Sequence, residues 1–226
     1  MEQRASGWGT GYSLRKLCMI GGASLMLAGV LYVWAFIAQY ILPPAGFTTS
    51  SLLQYIEQYR PYFVISYVLF TVANSLSIVG ALAIYMTTRV LDRSYAVLGA
   101  GSLVVGFAAT LISSTSPALI NLSDAYAADS SVANQQALAI AAEAVSAGSN
   151  PLIAATFIGV GVVFVSLAMR TGVFGRRLAY LGLFVGALNV ARALPGLSGY
   201  SDLTLFFVAV SSVWIFAVGR TIYRLA

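Results

Sequence analysis

Few side chains in this chain could do chemistry. Of 226 residues only 12 are lysine or arginine and 7 aspartate or glutamate; histidine is absent and Cys18 is the single cysteine. Without histidine, and with one thiol, the usual haem ligation and structural zinc sites cannot be assembled. One cysteine also excludes an intramolecular disulfide. Lys16, the sole lysine, stands at the edge of an apolar run, so a Schiff base at the centre of a bundle is excluded and a serine–lysine dyad could form only at its edge. An intramembrane aspartyl protease needs two aspartates inside apolar segments, and these segments contain none. The chain is therefore read as non-catalytic and without a cofactor.

Two sets of polar residues remain. Glu143 and Arg192 could form a salt bridge that clamps a long loop onto the end of a neighbouring segment, although solvated loop charges are the default. Asn74, Ser75 and Ser77, together with Asn189 and Ser211-Ser212, lie inside three different apolar segments and could line a polar pathway. Their commoner use is hydrogen bonding between helices. Ion-driven transport usually marks itself with an ionisable residue near the membrane midplane, and no such residue is present.

The elements that must position these residues are set by composition. Hydrophobic residues make up 59% of the chain and charged residues 8%, against about 25% in soluble proteins, and the mean hydropathy is +0.87. So little charge cannot cover a water-facing surface. Divided by the roughly 20 residues that a bilayer-spanning helix needs, the chain predicts an all-α, polytopic bundle of six transmembrane helices forming one domain. The spans fall at about 17–42, 62–88, 95–116, 152–169, 178–194 and 203–222. The first resembles a signal peptide but is too long for one and is read as an uncleaved span.

Charge orients the bundle. With both termini cytoplasmic, ten of the basic residues lie inside and two, Arg60 and Arg192, outside, while the acids are distributed two inside and five outside. Ten against two is the bias expected of inner loops. The net charge of +5 thus reads as a topology signal and not as a nucleic-acid surface.

Two outer segments are predicted to carry short interfacial helices. Ser51-Leu-Leu-Gln54 has the form of a capping box, followed by a stripe of Leu52, Leu53, Ile56 and Tyr59 before Pro61. The long loop 118–150 is acidic and holds no basic residue; its second half, 132–146, is alanine-rich and predicted to be helical. Ala137, Leu138, Ala141, Ala144 and Val145 recur there at helical spacing, so an ordered cap over the bundle is expected. Asn121-Leu-Ser123 is formally a glycosylation sequon, a triplet that also arises by chance.

Packing signals are clearest in the stretch 151–194. Gly182-Leu-Phe-Val-Gly186 is a GxxxG pattern, and Ala155-Thr-Phe-Ile-Gly159 is its small-residue analogue in the preceding span. Lipid offers no hydrophobic drive for helix association, so close backbone approach at such positions supplies attraction. Spans four and five are expected to touch through Ala155, Gly159, Gly182 and Gly186. The same motif leaves a homodimer open.

The hairpin Ile158-Gly-Val-Gly161 through Arg170-Thr-Gly-Val-Phe-Gly-Arg-Arg177 to Gly182 and Gly186 resembles the fourth-to-fifth helix hairpin of a large prokaryotic six-helix membrane family of unknown function. Members of that family commonly carry proline in the turn, where this chain has Gly175-Arg176. The resemblance implies a six-helix fold and a prokaryotic cytoplasmic membrane, and brings no activity, cofactor or site residue.

Two functions follow. The first is an accessory or structural subunit whose partners are membrane lipids and other integral membrane proteins, or a second copy, with no role for nucleic acid. The second is a transporter or binder of a small apolar or lipid-like molecule. A bundle without a cavity favours the first; a cavity lined by Asn74, Asn189 and Ser211 favours the second.

Overall fold

The computed structural model describes residues 12–40, 49–148, 151–191 and 201–226. Among these, nine helices and no strand occur: α1 Tyr12–Tyr40, α2 Thr49–Gln58, α3 Arg60–Thr88, α4 Arg93–Ile112, α5 Ser116–Ala128, α6 Val132–Gly148, α7 Pro151–Met169, α8 Arg176–Ala191 and α9 Ser201–Arg224. Five segments are long and apolar enough to cross a membrane, carried by α1, α3, α4 with α5, α7 and α9. Helix α8, with 16 residues, rises about 24 Å.

Local chemistry sets several boundaries. Asp92 caps α4 by accepting the backbone N–H of Tyr95 at 3.0 Å. Proline occupies the first turn of both α3 and α5, where its missing N–H costs nothing. The turn between α7 and α8 closes on Gly175, whose φ of +77° is left-handed and closed to proline. That turn also drives Phe174 into the core.

Six helices make a closed ring. Helix α1 packs on α3, α3 on α4, α4 on α7, α7 on α8, α8 on α9, and α9 returns to α1. Three of these contacts pair glycine with glycine. A Cβ at Gly219 would lie 2.7 Å from the carbonyl oxygen of Gly22, one at Gly161 would lie 2.8 Å from that of Gly99, and one at Gly186 would lie 2.8 Å from that of Gly159. Backbones at this separation gain dispersion contacts and leave space for no side chain. Small residues thus set the spacing of α1 against α9, α4 against α7 and α7 against α8.

The outside of the ring is apolar on every helix, with Ile20, Leu27 and Trp34 on α1, Ile65 and Leu82 on α3, Leu98 on α4, Phe157 on α7, Phe184 on α8 and Val213 on α9 all exposed. Such a belt suits hydrocarbon and not water, and the chain is a multi-pass membrane protein. Among the described residues, every basic side chain except Arg60 lies at one end of the ring, hereafter the basic end.

Helices α2, α5 and α6 gather at the opposite end as a cap with its own small core of Leu53, Ile56, Leu119 and Ala142. Ser123 Oγ donates to Leu53 O across this cap at 2.8 Å, and the Arg60 guanidinium meets Asp124 at 2.6 Å. Both partners of that pair are partly exposed, so its worth is below about 1 kcal/mol, and burial of the apolar faces supplies most of the order.

The cap departs from the sequence expectation in three ways. The first half of the long loop is itself helical, as α5, because Ser116-Pro117 starts a new helix directly after α4 breaks at Ser113–Thr115. The buried stripe of α6 runs through Leu138, Ala142 and Val145, with Ala137 and Ala144 exposed, a shift of one position. Helix α2 begins at Thr49, so Ser51 lies within its first turn and not at its cap. In the sequence Pro43-Pro44 and Leu194-Pro195 read as helix stops and Ser149 and Asn150 as cap candidates before Pro151; all of these except Pro151 lie outside the described residues.

The α5–α6 turn is fixed by Asp129, whose carboxylate accepts from Ser131 N at 2.8 Å and from Asn134 Nδ2 at 2.9 Å. These bonds, the backbone N–H first, hold its pKa below the ordinary carboxylate value. A depressed value means that the stabilisation is present above the unfolded-state pKa of about 3.9 and is lost as pH falls through the folded-state one. The protection of amides at the start of α6, relative to their intrinsic exchange rates, is expected to fall below about pH 4. Asp129→Asn should remove that pH dependence; a variant that keeps it would assign the effect to another group.

Candidate ligand cavity

A cavity of about 390 Å³ occupies the cap-end half of the ring axis. All six ring helices line it: Tyr32 and Phe36 from α1, Phe63 to Asn74 from α3, Phe107 to Leu111 from α4, Ala154, Ala155 and Ile158 from α7, Asn189 from α8, and Phe207 to Ile215 from α9. The break at Ser113–Thr115 adds three hydroxyls at its upper rim. Size and lining match those of small-molecule pockets, which are concave and mostly apolar with a few placed polar groups. Among the described residues, no aspartate, glutamate, lysine or arginine takes part.

The floor is polar on two walls. On one, Tyr32 Oη donates to Asn74 Oδ1 at 2.9 Å and lies 3.4 Å from Ser77 Oγ, tying α1 to α3. Asn74 Nδ2 in turn donates to Phe70 O at 2.8 Å. On the facing wall Asn189 Nδ2 donates to Val185 O at 2.9 Å and to Ser211 Oγ at 3.3 Å, tying α8 to α9. Most other hydroxyls in the lining are already committed: Thr71 to Tyr67 O, Thr110 to Gly106 O, Ser212 to Val208 O, and Ser66 across to Ala35 O. Main-chain carbonyls of helices absorb these protons, as Ser and Thr in helices commonly arrange.

Beneath this floor a second void of about 20 Å³, the size of one water, is lined by Ser77, Asn189, Ser211 and apolar side chains including Leu25, Leu103 and Trp214. Toward the basic end the axis is filled by Ile84, Val165, Met169, Val218 and Ile222, each at most 2% exposed. The cavity is thus one-sided.

Asn74, Asn189 and Ser211 therefore meet around one space. Ser77 and Ser212 join them, whereas Ser75 is exposed and bonds only its own helix at Thr71 O. Among the small residues, Gly159 meets Gly186 directly and Gly182 faces Ser166 of α7 and Trp214 of α9, whereas Ala155 lines the cavity. A Cβ at Gly182 would run into Ser166 Oγ and lie 2.5 Å from Trp214 Nε1. These two buried polar atoms have no hydrogen-bond partner among the described residues, and a glycine leaves them room. Glu143 is exposed on α6, and Arg192 lies outside the described residues; among the described residues Arg60 reaches an acid of the cap, at Asp124.

Sequence reasoning missed Tyr32, which orients Asn74, and the aromatic wall of Phe36, Phe63, Tyr67, Phe70, Phe107 and Phe207. A tyrosine in the middle of an apolar span is a signal that could have found the first, because its hydroxyl must meet a partner when buried. The rings carry no such mark, since lipid-facing and cavity-facing phenylalanines look alike in sequence. No protein-family model matches the chain, and comparison with curated proteins and with solved structures returns no significant match.

Proposed function

We propose that this protein binds a small, uncharged, lipid-like molecule in its central cavity, as a membrane receptor for it or a transporter of it. The observation behind this reading is the one-sided cavity on the axis of a six-helix ring, lined by Asn74, Asn189 and Ser211. A ring that served only to pack would fill its axis along its whole length, as this one does toward the basic end. Amides, hydroxyls and aromatic rings without an acid or base suit holding a molecule and not transforming it. The accessory-subunit reading has less behind it, because lipid chains alone satisfy the apolar outer faces.

In this reading α8 is the sixth span, α2, α5 and α6 lie at the outer interface, and both termini are cytoplasmic. The basic end then faces inward, as charge bias requires, and the cavity belongs to the outer half of the membrane. The setting is a prokaryotic cytoplasmic membrane.

Photolabelling tests it. A diazirine-bearing ten-carbon probe should label 63–74 and 207–215 saturably, with competition by the unlabelled compound. Ala155→Trp, which fills the cavity from α7, should abolish the saturable fraction. Labelling that never saturates and spreads over the lipid belt would refute a binding site.

A further inference from the structure

The hydrogen-bond inventory of the cavity floor goes further than its shape. The atom of Asn189 beside Val185 O must be its nitrogen, because a carbonyl cannot donate, and the same nitrogen reaches Ser211 Oγ. Both of its protons are then spent. Asn189 Oδ1 is left as an acceptor to which no donor is given among the described residues, and the Ser211 hydroxyl keeps its own proton. Across the cavity Asn74 is the mirror case. Its Oδ1 is taken by Tyr32 and one Nδ2 proton by Phe70 O, which leaves one N–H.

The floor therefore offers an open acceptor on the α8 wall and open donors on both walls, beneath aromatic rings and with no charge among the described lining residues. A carboxylate or an ammonium would enter this space without a counter-ion, a cost that unpaired charges in low dielectric rarely meet. A hydrocarbon would leave the amides unpaired, and a ketone or ester could use the donors but not Asn189 Oδ1. A hydroxyl is both donor and acceptor, and it is neutral.

Resting on the binding role just proposed, we propose that the ligand is an uncharged alcohol carried by the membrane, held with its hydroxyl on the Asn74, Asn189 and Ser211 floor and its apolar body along the aromatic wall toward the cap.

Equilibrium binding to the full-length protein in phosphatidylcholine nanodiscs tests this with four ten-carbon probes: 1-decanol, decane, decanoate and decylamine. Decanol should bind saturably at one site, and each of the other three at least tenfold more weakly. Asn189→Leu, similarly branched though larger, should bring decanol down to the affinity of decane, a loss of about tenfold, while leaving decane binding unchanged. Ser211→Ala, a milder change, should lose about threefold and guards against misfolding of the first variant; both should keep the melting temperature within a few degrees of the wild type. Saturable binding of glycerol at the affinity of decanol would keep the hydroxyl chemistry and assign its source to water. Equal affinities for decanol and decane would overturn the alcohol assignment while leaving the cavity a binding site. Binding of none of the probes, together with unsaturable photolabelling, would instead remove the binding role itself.

Discussion

Replacing Gly186 by leucine should lower the melting temperature of the purified protein in detergent by several degrees, whereas the same change at Gly101 should leave it nearly unmoved. A Cβ at Gly186 would lie 2.6 Å from Val163 Cγ2, 2.8 Å from Gly159 O and 2.9 Å from Val163 N. Two of those atoms are backbone and cannot rotate away, so α7 and α8 must separate along their contact. Overpacking of this kind costs about 1–3 kcal/mol. At Gly101 a Cβ meets nothing within 4 Å, and the residue faces outward. There a side chain replaces only backbone exposure and recovers part of the helix propensity that glycine forgoes, about 0.5–1 kcal/mol relative to alanine. Equal shifts at the two positions would show that the glycine crossing does not hold the ring together.

The second large effect is all-or-none. In a Cys18→Ser background, a cysteine at Thr171, in the exposed turn between α7 and α8, should react with impermeant maleimide only from the cytoplasmic face. A cysteine at Gln136, exposed on α6, should react only from the outside. The motive is the segregation of charge: Arg89, Arg93, Arg170, Arg176 and Arg177 cluster in two short turns at one end, while Asp124, Asp129 and Glu143 sit on the cap at the other. Short loops bearing arginine stay inside during insertion. Reaction of the Thr171 cysteine from outside would invert the protein and turn the cavity toward the cytoplasm.

Much of the architecture was legible because helix ends are written in local chemistry. The Asp92 cap, the first-turn proline Pro61 and the turn at Gly175 place the starts of α3, α4 and α8 near where the sequence suggests them. Helix α5 was missed because Pro117 reads in the sequence as the end of a span, whereas it stands in the first turn of a new helix. What makes Ser116–Ala128 helical is packing of Leu119 against Leu53 and Ile56 from α2, a tertiary effect.

The order of the ring was legible only in part. Gly159, Gly182 and Gly186 read as a contact between the two helices of the hairpin, and they make one: Gly186 meets Gly159, and Gly182 meets Ser166 of α7 as well as Trp214 of α9. The closure of α9 onto α1 joins helices far apart in the chain, and spacing alone cannot supply it. Asn74, Asn189 and Ser211 were legible as a polar set. Which of their atoms remain open depends on Tyr32 and on the carbonyls of Phe70 and Val185, and these contacts exist only after folding.

The neutrality of the cavity lining has an electrical consequence. Moving one elementary charge through a membrane potential of 100 mV does about 2.3 kcal/mol of work, and that work scales with the charge moved. The uncharged ligand proposed above carries none, and the described lining residues add none. For that ligand, occupancy of the site is expected to be the same with and without a membrane potential.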